Sequence, residues 1–436
     1  MSEMQNIKTL IDSVKSGAQD RKLRTLYALD GSKESLSFAR ARILHVIEGF
    51  RETFDAAEDT EVILVSGPGR TEIGGNHTDH QHGHVLCASV DMDVLGCAAL
   101  NNRGIIRLMS EGYGLNCVEL DSLLPREDEQ GNSQGLVRGV AAKIAELGYT
   151  LRSVDIYTVS SVISGSGLSS SAAFETLVGN VLNCFCAGGE LDAVTIAKIG
   201  QYAENIYFGK PCGLMDQMGS SIGGAVAIDF AEPASPVIRK VSYDFSKSGH
   251  ALCILDTGST HADLTDSYAD ITREMGAVAA FFGKTYLREI NEADFRAEIP
   301  SIRRSCGDRA VLRALHYFED DRRAVREAEA LEKGDFAEFL HLVNESGRSS
   351  AFNLQNTYSL GTPQNQAIPV ALALGEELLG GEGAIRVHGG GFAGTIQAWV
   401  PNEKLYAFKS GMEDVFGAGK CHILHVRPNG GCVITD

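Results

Sequence analysis

No run of about eighteen apolar residues occurs in this 436-residue chain, so no segment reads as a membrane-spanning helix. Residues 1–22 are polar and mixed in charge and lack an apolar h-region, so export is not expected. Positive charge is scarce: 39 lysines and arginines stand against 57 aspartates and glutamates, a formal net charge of −18. That balance argues against nucleic acid or a membrane surface as the main partner, and a phosphate ligand would need local groups to hold it against the global field. The ten cysteines lack both the paired spacing of a zinc site and the density of a secreted disulfide scaffold, which points to reduced thiols in the cytoplasm. The one close pair, Cys184-Phe185-Cys186, falls in an apolar helical stretch and reads as core. Repeats and low-complexity tracts are missing too, and the single tryptophan, Trp399, sits on a predicted strand and reads as core rather than as a stacking platform.

Hydrophobic residues make up 44% of the chain, enough at this length for two cores. Residues 1 to about 60 pattern mostly as helix, clearest over 35–54, where Leu36, Ile43, Ile47, Phe50 and Phe54 recur near helical spacing. Residues 62–65 and 84–88 read as buried strands, and strand patterns, including 105–108 and 154–159, dominate to about 161. Two long helices are predicted over 169–186 and 191–207, with strands returning at 223–230 and 237–245. A buried strand at 251–255 opens a helix-rich part that continues to about 380, so the expected domains are 1–240 and 241–436.

The stretch Gly69-Arg70-Thr71-Glu72-Ile73-Gly74-Gly75-Asn76-His77-Thr78-Asp79 crowds an arginine, a histidine and an aspartate into what reads as a glycine-rich loop at a strand end, where rigid scaffolding can aim side chains. A second loop, Gly165-Ser166-Gly167-Leu168-Ser169-Ser170-Ser171-Ala172-Ala173, follows a strand and opens a helix. Its small residues admit an anion to the backbone, its hydroxyls donate, and the helix N-terminus adds partial positive charge. The plainer reading is an ordinary serine N-cap, although three consecutive serines exceed what capping needs. Two other glycine motifs fail on context. Gly283-Lys284-Thr285 mimics the tail of a Walker loop but has Val278 where its first glycine belongs. Gly389-Gly390-Gly391-Phe392-Ala393-Gly394 matches a dinucleotide fingerprint, yet a strand pattern follows it, which suggests a turn pressed against another loop or a ligand.

Glu204, at the end of the second long helix, and Asp216, twelve residues on, suit phosphoryl transfer: one carboxylate can hold magnesium and the other can orient or deprotonate a hydroxyl. Most acidic residues are solvated surface charges, but Leu214, Met215 and Met218 place Asp216 in an apolar setting. His77, His80, His82 and His84 could suggest a transition-metal site. Alternate residues on an extended segment face opposite ways, so hydrogen bonding of His77 and Asp79 to a polyol is the simpler reading, with the other histidines on a surface loop.

Together these motifs resemble the GHMP small-molecule kinases, most closely the galactokinases. The carriers are Pro68-Gly69-Arg70, Gly75 to Asp79, Gly165 to Ala173, Cys212-Gly213-Leu214-Met215-Asp216-Gln217 and Gly389 to Gly394, in the expected order, with residues 1 to about 40 outside the likeness. The resemblance implies an α+β fold of two domains with the active site in the cleft between them. It implies ATP with its phosphates over Gly165, Ser166, Gly167, Leu168, Ser169, Ser170, Ser171 and Ala172, and Mg2+ held by Glu204 and by Ser171 or its neighbour Ser170. Asp216 would take or orient the proton of the sugar C1 hydroxyl, beside Arg70. Asn76, His77, Asp79, the backbone of Gly213 and Tyr268 would contact the sugar, Tyr268 because it keeps the family's seven-residue step from His261. Gly389, Gly390, Gly391 and Gly394 form the third glycine loop.

The reaction so implied is direct in-line transfer from ATP to galactose, giving galactose 1-phosphate and ADP, by a cytoplasmic monomer. Three positions depart from the pattern: Asn76 replaces a glutamate, Glu72 an asparagine and His80 a tyrosine. Asparagine at 76 removes a charge that would repel a C6 carboxylate, so galacturonate is an alternative substrate, as are N-acetylgalactosamine and other hexoses. A non-catalytic sensor of sugar and nucleotide would be expected to lose part of the serine loop, which is intact here.

Overall fold

The computed structural model describes residues 4–29, 33–163, 167–259 and 264–435. Near the N-terminus come β1 (Gln5–Asn6) and three helices, α1 (Ile7–Ser16), α2 (Asp20–Leu26) and α3 (Lys33–Phe54). Then follow β2 (Glu61–Gly74), β3 (His84–Leu100), the hairpin β4 (Ile105–Ser110) and β5 (Leu115–Glu119), α4 (Ser133–Glu146) and β6 (Val154–Ser160). Helices α5 (Ser170–Ala187), α6 (Ala193–Tyr202) and α7 (Met215–Ile222) precede β7 (Ala225–Asp229) and β8 (Val237–Val241). Beyond β9 (His250–Asp256) lie α8 (Thr265–Phe281), α9 (Glu292–Cys306), α10 (Asp308–Glu332), α11 (Phe336–Ser349) and α12 (Ala367–Leu379). The chain then runs through β10 (Ala384–Val387), β11 (Thr395–Pro401), α13 (Leu405–Phe416), β12 (Cys421–Leu424) and β13 (Cys432–Val433).

Two sheets result. The larger has the order β1-β2-β3-β6-β4-β5, with β7 and β8 branching from β3 and β13 pairing with β2; the smaller is antiparallel, β10-β11-β9-β12. One hydrophobic core reaches both, because Leu252, Ile254 and Trp399 of the smaller sheet cluster with Ile63, Leu86 and Leu177 beneath the larger. Trp399 is core, as its strand position predicts. The N-terminal helices bury Leu10, Val14, Leu23, Ile43 and Phe50 against Val62, Leu64, Leu95 and Tyr157 on the larger sheet, removing an apolar sheet face from water.

Residues 69–74, which read as a loop in sequence, are strand, because β2 stays paired with β3 from Ile63 through Gly74. The glycines serve two register shifts, one between Pro68 and Arg70 and one between Glu72 and Gly74, rather than a loop. Such bulges bend a strand and re-aim its side chains, which turns Arg70 toward the start of α7.

Candidate active site

Arg70 leaves β2 at the first bulge. Its backbone N–H donates to Leu168 O (3.1 Å) and its guanidinium to Gly167 O, so strand and serine loop are fixed to each other. The same guanidinium donates twice to Asp216 Oδ1, from Nε at 2.8 Å and Nη2 at 2.6 Å. Asp216 lies in the first turn of α7, where the helix dipole favours a carboxylate, with Leu214, Met215 and Met218 buried around it. Burial alone would raise its pKa, but the Arg70 charge and hydrogen bonds from Ser169 and Arg70 outweigh it and hold the carboxyl below its ordinary value.

Ser169 is not an ordinary N-cap. It precedes α5 in the left-handed region (φ 55°), makes no capping bond, and donates its hydroxyl to Asp216 Oδ2 at 2.5 Å. Ser171, the second residue of α5, donates to Glu204 Oε1 at 3.2 Å. Glu204 is nearly fully buried in a π-helical turn, Ala203–Phe208, at the end of α6, and Gln217 donates to its other oxygen at 2.9 Å. The exposed Lys210 ammonium lies 3.5 Å from Glu204 Oε1. Hard oxygen donors this close fit a magnesium ion that completes its shell with water and phosphate oxygens. Ala172 is buried beneath the loop, and Ser170 opens α5. Gly165 and Ser166 lie outside the described residues, as does His261.

The residues predicted to face a sugar gather on one wall. Asp79 packs its carboxylate against the Cα of Gly213, an approach that any side chain at 213 would block. His77 has a left-handed backbone (φ 60°), uncommon for a residue with a side chain, and its Nε2–H donates to Gly390 O at 2.9 Å. Burial, then the neighbouring His80, push its pKa down to about 3, so the ring is neutral. Tyr268, on α8, donates its hydroxyl to Gly391 O at 2.7 Å. The third glycine loop is therefore pressed against other loops, as its sequence context suggests; Gly389, Gly391 and Gly394 all take positive φ.

Asn76 departs from expectation. It is fully buried, and its amide is saturated by protein: Nδ2 donates to Glu72 Oε1 (3.0 Å) and Gly389 O (2.7 Å), while Oδ1 accepts from Asn356 Nδ2 (2.8 Å) and Ser350 Oγ (3.2 Å). No hydrogen-bonding position remains for a sugar. Glu72 in turn pairs with the fully buried Arg386. His82 and His84 are also not plain surface residues: His82 stacks on Tyr286, and His84 Nδ1 meets Asp321 Oδ1 at 3.0 Å.

Several supports carry no signal in the sequence. His316 Nε2–H donates to Asn76 O (2.9 Å), and Asn76 N–H donates to Asp320 Oδ2 (2.8 Å), from a buried polar stripe on α10. His388 bridges Thr71 and Thr395 at 3.0 Å each. Asn356 carries no motif at all.

Comparison with known proteins follows the same lines. A family model described as GHMP kinases N terminal domain matches residues 135–224, and one described as galactokinase galactose-binding signature matches residues 48–100. A galactokinase of Streptomyces coelicolor is 30% identical over 375 residues, 85% of this chain and 92% of that one. Among solved structures, Lactococcus lactis galactokinase complexed with galactose aligns with TM-score 0.75 at 23% identity, covering 89% of this chain and 99% of its own. Methanococcus jannaschii mevalonate kinase aligns at 0.59 and 14%, covering 84% and 98%. The two structures speak for the fold, which is that of the GHMP kinases. With a relative of this identity spanning most of both chains, and both family models falling on the strands and helices that carry Arg70, Asp216 and the serine loop, the chain belongs to the galactokinase family of the GHMP kinases.

Proposed function

We propose that the chain transfers the γ-phosphoryl group of ATP to the C1 hydroxyl of galactose, giving galactose 1-phosphate and ADP by direct in-line displacement. The observation that carries this reading is the Asp216 carboxylate, gripped by Arg70 on Oδ1 and set by Ser169 against the start of the phosphate loop. Oδ2, the oxygen Arg70 leaves, orients the C1 hydroxyl. A carboxylate held this far toward its ionised form is a weak base, so it receives the proton as the new P–O bond forms rather than beforehand. Arg70 keeps Asp216 ionised and lends positive charge to the transferring group.

Ser171 and Glu204 would hold Mg2+, which when bound offsets phosphate charge. Ser170 and the backbone from Gly167 to Ala172 would face the phosphates, with Gly165 and Ser166 completing the loop. His77, Asp79, the Gly213 backbone and Tyr268 would position the sugar. The ten free cysteines support a cytoplasmic setting, and a site built from one chain's residues supports a monomer. The change of sheet between Val241 and His250 supports a division into domains 1–240 and 241–436 with the site between them, with β13 of the second crossing back to pair with β2 in the larger sheet.

A galacturonate kinase is the second reading, favoured by the neutral amide at position 76 and the ion pair that occupies Glu72. Turnover by the purified protein with Mg-ATP decides between them: galactose is expected to be preferred over galacturonate and N-acetylgalactosamine. A strong preference for galacturonate would move the reading to that sugar, and no turnover with any of them would overturn it.

A further inference from the structure

Three consecutive carbonyls of the third glycine loop each receive a donor from the sugar-facing wall: Gly389 O from Asn76 Nδ2, Gly390 O from His77 Nε2 and Gly391 O from Tyr268 Oη. The loop is equally tied from behind. Asn356 Nδ2 donates to Asn76 Oδ1 (2.8 Å) and Gly390 O (3.2 Å), and Asn356 O accepts from Phe392 N at 2.5 Å. Both asparagines are completely buried.

The backbone around this junction is unusual. Asn356 follows a π-helical turn, Ser350–Leu354, and Gln355 (φ 60°) and Phe392 (φ 61°) both take left-handed conformations that residues with side chains seldom adopt. Gly391 stands so close to Asn356 that no Cβ would fit. Asn356 Oδ1 has no partner among the described residues. Strain and an unpaired buried oxygen at one contact persist where surrounding structure imposes them, and they mark such contacts as functional candidates.

The amide at 76 is chemically specified. Its NH2 faces two acceptors, Glu72 Oε1 and Gly389 O, and its oxygen faces two donors, so an isosteric carboxylate would oppose two oxygens. We propose that Asn76 and Asn356 form an amide clasp that fixes the Gly389–Gly391 carbonyls, and through them His77 and Tyr268, so that both asparagines govern sugar affinity without touching the sugar. They are positioning residues, 280 positions apart in sequence. This inference rests on the proposed reading that the cleft takes galactose, which wild-type turnover tests by itself; the clasp is tested by ratios of variant to wild type.

N76D and N356A are each expected to raise the galactose KM by about 10-fold to 100-fold, the effect of one or two buried polar groups left unpaired, with the ATP KM nearly unchanged. The double variant N76D/N356A should fall well short of the product of the two single effects, because the residues act as one unit. A panel of deoxygalactoses, each lacking one hydroxyl, separates positioning from contact. Under the clasp, a ratio of KM values between galactose and a deoxy sugar falls in N76D or N356A only where it also falls in His77→Ala or Tyr268→Phe. If a ratio collapses toward unity in N76D or N356A that both of those variants leave at its wild-type value, that asparagine binds the missing hydroxyl directly and the proposal is overturned. An unchanged galactose KM in N356A, with only a lowered melting temperature, would overturn it as well. Should N76D fail to fold, N356A and S350A, which leave Asn76 in place, carry the same comparison.

Discussion

Asp216 and Arg70, 146 residues apart, meet through two nitrogens on a single carboxylate oxygen, which leaves the other oxygen to Ser169 and the open side of the cleft. The geometry distinguishes the two oxygens: Oδ1 is held by two guanidinium nitrogens, whereas Oδ2 takes the Ser169 hydroxyl and, under the proposed reaction, is the one that meets the C1 hydroxyl.

Asp216→Asn removes the charge and the proton acceptor while keeping the shape, and is expected to lower kcat by about 10²- to 10⁴-fold with a smaller change in sugar KM. Arg70→Lys should also lower kcat, because an ammonium cannot supply the paired donors. Steady-state kinetics of both variants check this, and turnover untouched in Asp216→Asn would exclude the assigned role.

Acid dependence gives a second test. The Asp216 pKa lies below its ordinary 3.8, so loss of activity through this group is expected only below that pH. The sign for stability agrees: a depressed carboxylate stabilises the fold fully above its unfolded pKa and loses that contribution as pH falls through the folded one. A kcat/KM limb centred above about pH 5 that vanishes in Asp216→Asn would contradict this.

His77 shifts in the same direction, with its effect at higher pH. With its pKa lowered from 6.5 to about 3, it is neutral in the folded chain across physiological pH. Below 6.5 the unfolded chain binds a proton that the folded one refuses, so stability falls as pH drops from about 6.5 toward 3. NMR of the His77 ring should show no titration between about pH 5 and 8, the range in which an unperturbed histidine would change charge.

For the metal, Glu204→Gln and Ser171→Ala are each expected to raise the magnesium concentration needed for half-maximal rate by about 10-fold to 100-fold, the scale seen when metal-site groups are removed. Mn2+ binding in the presence of a non-hydrolysable ATP analogue, followed by electron paramagnetic resonance, should weaken in parallel.

The N-terminal helices predict stability without catalysis. Leu10→Ala leaves a cavity against the larger sheet and is expected to cost about 2–5 kcal/mol, with KM values unchanged. Thermal melts beside steady-state kinetics check it.

What the sequence made legible was local. Short apolar and β-branched runs announce β2, β3, β6 and β11, and small residues before an apolar helical stretch announce the loop that feeds α5. The bulged end of β2 reads as a loop in sequence because glycines at 69, 74 and 75 look the same whether they form a loop or a bulge; pairing with β3 decides, and pairing is non-local. The polar stripe His316, Asp320, Arg323 and Glu327 on α10 looks like a solvated face, yet all four are buried behind Asn76. Asn356 and His388 carry no signal for a related reason: each joins its own surroundings to a distant segment, Asn356 to Asn76 across 280 residues and His388 to Thr71 across 317.

The last strand carries a consequence for synthesis. Cys432 and Val433 pair with Ser66 and Val65 of β2, and Arg427 reaches Ser66 across 361 residues. A chain emerging from the ribosome therefore has β2 long before it has the strand that covers Val65 and Ser66. Until about residue 434 is released, β1 pairs only Glu61 and Val62 on that edge, and the stretch beyond them stays open to the wrong strand of another nascent chain.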